Sequence, residues 1–169
     1  MNYFEDIKNY ANNFYPIVWG LLGSFQTNDN FSKFNKELLE FFRINFQYKR
    51  FPTIPDEHIK QLINTLILPT FYITQKEFED FQDSPVEYLR IELEEADMDT
   101  NKYYGINLLK LLINSNSTMA HNYLNPLIDS LLNEYEQNRD QNWNKKISAI
   151  NLIFAVVIKV FAQRSKLIN

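Results

Sequence analysis

Apolar residues recur at spacings of three and four along nearly the whole chain, the period of helices that bury one face. From about Tyr3 to Phe25, the residues Ile7, Ala11, Phe14, Val18 and Leu21 share a stripe. Pro16 inside that run is expected to kink the axis, because it removes a hydrogen bond and crowds the preceding turn. A polar stretch over 26–30 leads to a second helix from about Phe31 to Gln47, and 50–55 reads as a connector. Asp56 to Leu68 places Ile59, Leu62, Ile63 and Leu66 at core spacing, with Pro69 expected to end it. Thr74-Gln75-Lys76-Glu77 is a capping box that starts a short turn of helix, and Ser84-Pro85-Val86-Glu87 is another, with proline in the first turn. Three longer helices follow. Thr100 to Asn114 carries Ile106, Leu109, Leu112 and Ile113; Met119 to Glu136 carries Tyr123, Leu124, Leu127, Ile128, Leu131 and Leu132. Asn142 to about Gln163 carries Ile147, Ile150, Ile153, Phe154, Val157, Ile158 and Phe161.

With only 3 glycines in 169 residues, this pattern predicts an all-α chain. Helix pairs recurring at intervals of about 45 to 60 residues fit HEAT-type repeats. Roughly three pairs result, forming one α-solenoid segment over 1–169, with the middle pair enlarged by an insertion from Phe71 to Asp99. The last helix is apolar around most of its axis, so it is expected to be buried on nearly all sides. Asn151 and Lys159 leave it short of the roughly 20 apolar residues of a membrane span, so no membrane insertion is expected. Solenoids end in capping repeats with a polar outer face. This helix lacks such a face, so the chain is expected to be an internal part of a larger protein.

Composition narrows the function. A net charge of −4 and a pI of 5.2 argue against a nucleic-acid partner and suit basic protein partners. The absence of cysteine excludes disulfides and thiolate metal sites. The opening residues MNYFEDIKNYANNF do not follow the charged-then-apolar order of a signal peptide. His58 and His121 stand on different helices and form no i,i+4 pair, so a surface or capping role is expected of each rather than metal binding. Asp97 to Asn101 imitates the start of a calcium loop, but Lys102 replaces the required glycine and Leu108 the required glutamate. Asn116-Ser117-Thr118 is a formal sequon better read as a helix cap. No glycine-rich loop is present to hold a phosphate, and no constellation of catalytic groups stands out, so no enzyme is expected.

The segment Phe78 to Thr100 gathers the most distinctive chemistry. Glu87, Tyr88 and Arg90 form an aromatic-and-arginine patch, with Glu87 and Glu94 placed at i−3 and i+4 to hold Arg90. Glu94, Glu95, Asp97 and Asp99 crowd a helix C-terminus, where the macrodipole disfavours carboxylates. That local cost points to a function, although Asp97 and Asp99 also suit caps of the next helix. Tyr88 reads best as pinning the insertion. Trp143 reads as a packing residue that fixes a loop, with an exposed interface anchor as the alternative.

Phe-Glu-Asp at 78–80, Asp-Ser-Pro-x-Glu-Tyr-Leu-Arg at 83–90 and Leu-Glu-x-x-Asp-x-Asp-Thr at 93–100 resemble the middle of the importin-α re-exporter family, karyopherin-β receptors built of HEAT repeats. The resemblance continues at Pro16 to Leu22, Ile67 to Pro69 and Asn142 to Lys146. The chain departs from that family at Ile91-Glu92 and at Asn101 to Gly105, where the family carries basic residues. The resemblance implies a nuclear transport receptor that exports importin-α with RanGTP and shuttles between nucleus and cytoplasm. Its implied partners are Ran, importin-α and nuclear pore proteins, and it holds no cofactor, GTP arriving only on Ran. An import receptor of the importin-seven/eight type and a stand-alone helical scaffold are the alternatives.

Overall fold

The computed structural model describes residues 3–22, 32–50, 54–94, 100–115 and 117–168; within these, side chains are described except at 3–5, 7–9, 11–12, 32–33, 92–94, 117–121 and 158–168. The described elements are all helical. They are α1 (Tyr3–Leu22), α2 (Ser32–Gln47), α3 (Asp56–Leu62), α4 (Gln75–Asp83), α5 (Pro85–Glu94), α6 (Asn101–Ser115), α7 (Ser117–Gln137) and α8 (Trp143–Ile168).

Two layers of helices enclose one hydrophobic core. In the first layer, α1 meets α3 where Trp19 Nε1 donates to Gln61 Oε1 at 2.9 Å. In the same layer the turn that continues α3 meets α7, the Tyr123 hydroxyl donating to Asn64 Oδ1 at 2.7 Å. The second layer sets α2 along α6 and α6 along α8. Between layers, Trp19 meets Phe42 edge to face, α6 lies on the end of α3, and α7 packs on α8. The chain therefore stacks three pairs, α1/α2, α3/α6 and α7/α8. Helices α4 and α5 are inserted within the middle pair, in agreement with the repeat count expected from the sequence.

Several expected details differ. Pro69 does not end the third helix. After Leu62 the chain widens into a π-helical turn, Ile63–Ile67, and then tightens into a 3₁₀ turn, Leu68–Phe71, that accommodates the proline. This change of winding keeps Ile63, Leu66, Ile67, Leu68 and Phe71 all buried. Phe71 thus belongs to the core, and the excursion begins beyond it. Among the described side chains of α1, Trp19 and Leu22 are buried with Tyr15 and the expected Val18 packed beside them, Phe14 and Leu21 are exposed, and Ile7 and Ala11 lie outside the described side chains. On α8 the core takes Ala149, Leu152 and Ala155, whereas Ile150, Ile153, Phe154 and Val157 face outward. That inner face, where α8 meets both α6 and α7, also buries Ser148 and Asn151.

His58 is not a surface or capping residue. It is half-buried, its ring stacks on Trp19 at 4.7 Å, and its Nδ1 lies 3.0 Å from the Tyr15 hydroxyl. The His121 side chain lies outside the described residues. Leu108, at the glutamate position of the imitation calcium loop, is fully buried in the core.

Candidate functional site

The hairpin of α4 and α5 is the feature that leaves the two-layer body. The helices pack mainly on each other, and α4 buries no residue. Helix α4 starts as expected: the Glu77 amide donates to Thr74 Oγ1 at 3.2 Å, and the Thr74 amide donates to Glu77 Oε2 at 2.6 Å. The start of α5 differs from expectation. The Ser84 amide is engaged by the Asp80 carbonyl at 3.0 Å, closing α4, so Ser84 has no backbone donor left for a reciprocal box. Glu87 turns instead to Arg90, accepting from Nε at 3.0 Å and from Nη2 at 2.5 Å. This pair holds the Glu87 carboxyl below the usual carboxylate range, chiefly through the hydrogen bond. Both partners are about half exposed, so the pair orients Arg90 more than it stabilises the fold.

Tyr88 is half-buried and meets Phe81 of α4 edge to face at 5.6 Å, so it pins α5 to α4 within the insertion. Val86, Leu89 and Ile91 remain exposed along α5. Glu94 is the last residue of α5, and its side chain lies outside the described residues, as do Glu95, Asp97 and Asp99 entirely. Glu79, Asp80 and Asp83 add exposed carboxylates on α4 that the sequence reading did not single out. Thr100 caps α6, its Oγ1 accepting from the Tyr103 amide at 3.1 Å.

Trp143 stands at the other end of the hairpin's attachment. Half-buried, it stacks on Phe78 of α4 at 4.9 Å, which makes it a packing residue. Its neighbours complete the fastening. Asn144 Oδ1 accepts from the Ile73 amide at 2.9 Å, tying the extended link before α4 to the start of α8. Asn142 Nδ2 donates to the Glu134 carbonyl at 2.7 Å, and Lys145 pairs with the Glu134 carboxylate at 3.0 Å. The run 142–145 thereby ties α7, α8 and the hairpin at one point. Asn142 and Asn144 were visible in the sequence only as parts of a motif, because an asparagine's partners depend on what the fold brings near it.

The exposed charges and aromatic rings of the hairpin offer chemistry for binding a partner. No group of three or more His, Cys, Asp or Glu that could hold a metal occurs among the described residues, and none of the described helices is long and apolar enough to cross a membrane.

An all-α, two-layer solenoid with an acidic hairpin defines the structural class, and comparison with known proteins supplies the family. The Cse1 family model matches residues 1–167, and the chain belongs to the Cse1 family. Exportin-2 of Dictyostelium discoideum is 30% identical over 175 residues, covering 99% of this chain and 18% of that protein. The importin alpha re-exporter of Saccharomyces cerevisiae is 26% identical over 158 residues, covering 92% of this chain and 16% of that protein. Among solved structures, the exportin Cse1 in its cargo-free, cytoplasmic state matches with a TM-score of 0.69 and 25% identity, over 84% of this chain and 16% of that one. The chain thus spans less than a fifth of the length of these relatives.

Proposed function

We propose that this chain serves as a segment of a nuclear export receptor that carries importin-α from nucleus to cytoplasm together with RanGTP. The observation that carries the reading is the acidic α4–α5 hairpin, standing off the body of a chain that belongs to the Cse1 family. The names of the relatives, Exportin-2 and importin alpha re-exporter, support the cargo and the direction. In this reading the receptor makes and breaks no bond, holds no cofactor, and meets GTP only on Ran. Its work is linkage: RanGTP and importin-α favour the same curvature of the solenoid, so each raises the affinity for the other. Shuttling between nucleus and cytoplasm follows, with pore proteins as transient partners.

Glu87 and Glu94 on α5, and Glu95, Asp97 and Asp99 that follow them in sequence, supply by their charge a negative field for a basic partner surface, and Arg90 is oriented by Glu87. Tyr88 and Trp143 position the hairpin, as their packing indicates. The test is amidation of Glu94, Glu95, Asp97 and Asp99 together, in a receptor that contains this chain. Affinity for Ran or importin-α is expected to fall, most strongly at low salt. An affinity unchanged across a salt series removes the hairpin from the function.

A further inference from the structure

The turn that joins α4 to α5 presents one hydroxyl that the fold does not use. Residues 79–87 are exposed without exception, across the end of α4, Ser84 and the start of α5. Ser84 adopts φ −147° and ψ 72°, so it belongs to neither helix. Its backbone is engaged on both sides: the amide donates to the Asp80 carbonyl at 3.0 Å, and the carbonyl accepts from the Tyr88 amide at 2.9 Å. Its hydroxyl has no partner among the described residues. It is alone in this, because every other described Ser or Thr hydroxyl, from Thr65 to Ser148, is in a hydrogen bond.

The residue after it narrows the chemistry. Of the 6 prolines in the chain, Pro85 is the one that follows a Ser or Thr; the others follow Tyr15, Phe51, Ile54, Leu68 and Asn125. Proline has no N–H. A protein kinase whose pocket beyond the acceptor residue offers nothing to an amide therefore accepts proline there and leaves any other residue with an unpaired donor. Such a cleft takes its substrate extended, so the turn must open. The cost of opening is small, because α4 buries no residue, the hairpin packs mainly on itself, and the 10 residues of α5 are too few to hold a helix alone.

We propose that Ser84 is the acceptor of a proline-directed protein kinase. Its Oγ attacks the γ-phosphorus of magnesium-bound ATP; the new O–P bond forms as the bond to the ADP oxygen breaks, ADP leaves, and the hydroxyl proton passes to a carboxylate of the kinase. An acid-directed kinase suits the site less well, because Glu87, the acid three residues on, is already paired with Arg90. The Tyr88 amide makes the first bond of α5, which leaves the amides of Val86 and Glu87 at the positive end of that helix without a helical partner. The phosphate accepts from them, firming the start of α5 and adding about −1.5 to −2 of charge to the hairpin at neutral pH. The inference is independent of the export reading, since it concerns one hydroxyl and its neighbours.

The test incubates the 169-residue chain with a mitogen-activated protein kinase and magnesium ATP, followed by intact-mass and peptide-map mass spectrometry. One phosphoryl group is expected, on Ser84, and Ser84→Ala is expected to take none. Pro85→Ala is expected to be labelled on the order of tenfold more slowly. In amide NMR spectra, the Val86 and Glu87 signals are expected to move downfield on phosphorylation and to follow the phosphate titration at about pH 6. Circular dichroism confirms that each variant is folded, and Ser84→Ala decides the matter if Pro85→Ala is not. No incorporation, incorporation that survives Ser84→Ala, indifference to Pro85→Ala, or labelling only by an acid-directed kinase run in parallel overturns the proposal. Val86 and Glu87 amides that ignore the phosphate overturn its capping role.

Discussion

Lys49 adopts φ 50°, the left-handed region that suits glycine. It follows α2 in a Schellman arrangement: the Lys49 amide donates to the Phe46 carbonyl at 3.2 Å and the Arg50 amide to the Asn45 carbonyl at 2.9 Å. The motif closes the helix, but the lysine Cβ crowds its own backbone there. Lys49→Gly is therefore expected to raise stability by about 0.5 to 1 kcal/mol in urea denaturation, the relief of strain exceeding the extra chain entropy. Tyr15 gives a residue-scale prediction with a pH sign. Burial pushes its phenol above the usual value of 10.0, so the neutral form is favoured in the folded state. Stability from this group is fully present below pH 10 and is lost as pH rises through the raised folded value. Alkaline melting of Tyr15→Phe is expected to show a shallower decline in that window. At neutral pH the same variant is expected to lose about 0.5 to 1.5 kcal/mol with the hydroxyl's bond to His58.

Among the elements, helices were legible wherever one apolar face dominated, as on α3, α6 and α7. The faces of α1 and α8 are only partly legible because large apolar residues lie on more than one side. Periodicity cannot then tell which side meets a neighbour. The side of α8 that meets α6 and α7 holds Ala149, Leu152 and Ala155 rather than Ile150, Ile153 and Phe154, and the apolar pattern alone does not say which side that is. The π and 3₁₀ turns after Leu62 were missed for a related reason: their winding follows the core contacts rather than propensity. The hairpin was legible through its capping box and proline, but its attachment through Phe78, Asn142 and Asn144 was not. Two element-scale outcomes follow from these contacts. A Cβ on Gly105 of α6 would lie 2.4 Å from Thr70 Oγ1, and that oxygen is held by its bond to the Ile67 carbonyl. Gly105→Ala is expected to destabilise by about 1 to 3 kcal/mol despite alanine's better helix propensity. A companion Thr70→Ala change is expected to recover part of the loss in a double-mutant cycle. Trp143→Ala removes the stack on Phe78, and hydrogen exchange is expected to quicken across α4 and α5 while α6 stays protected.

At the scale of the whole molecule, the two end helices of the stack present apolar faces. Tyr10 and Ile17 on α1 are 66% and 62% exposed, and Ile150 and Phe154 on α8 are 53% and 52% exposed. Such rows favour association. The 169-residue chain is expected to self-associate in size-exclusion chromatography with light scattering, whereas a stable monomer would show that these faces need no cover. The α4–α5 hairpin adds to this body an acidic surface that stands off it. The most direct measurement is the affinity of importin-α for a receptor containing this chain, taken with and without RanGTP. Export predicts that RanGTP tightens cargo binding by roughly 5 to 150-fold, with importin-α raising the affinity for RanGTP by the same factor. Cargo released by RanGTP would instead mark an import receptor of the importin-seven/eight type, and a failure to bind Ran at all would leave a helical scaffold; either result contradicts the export account.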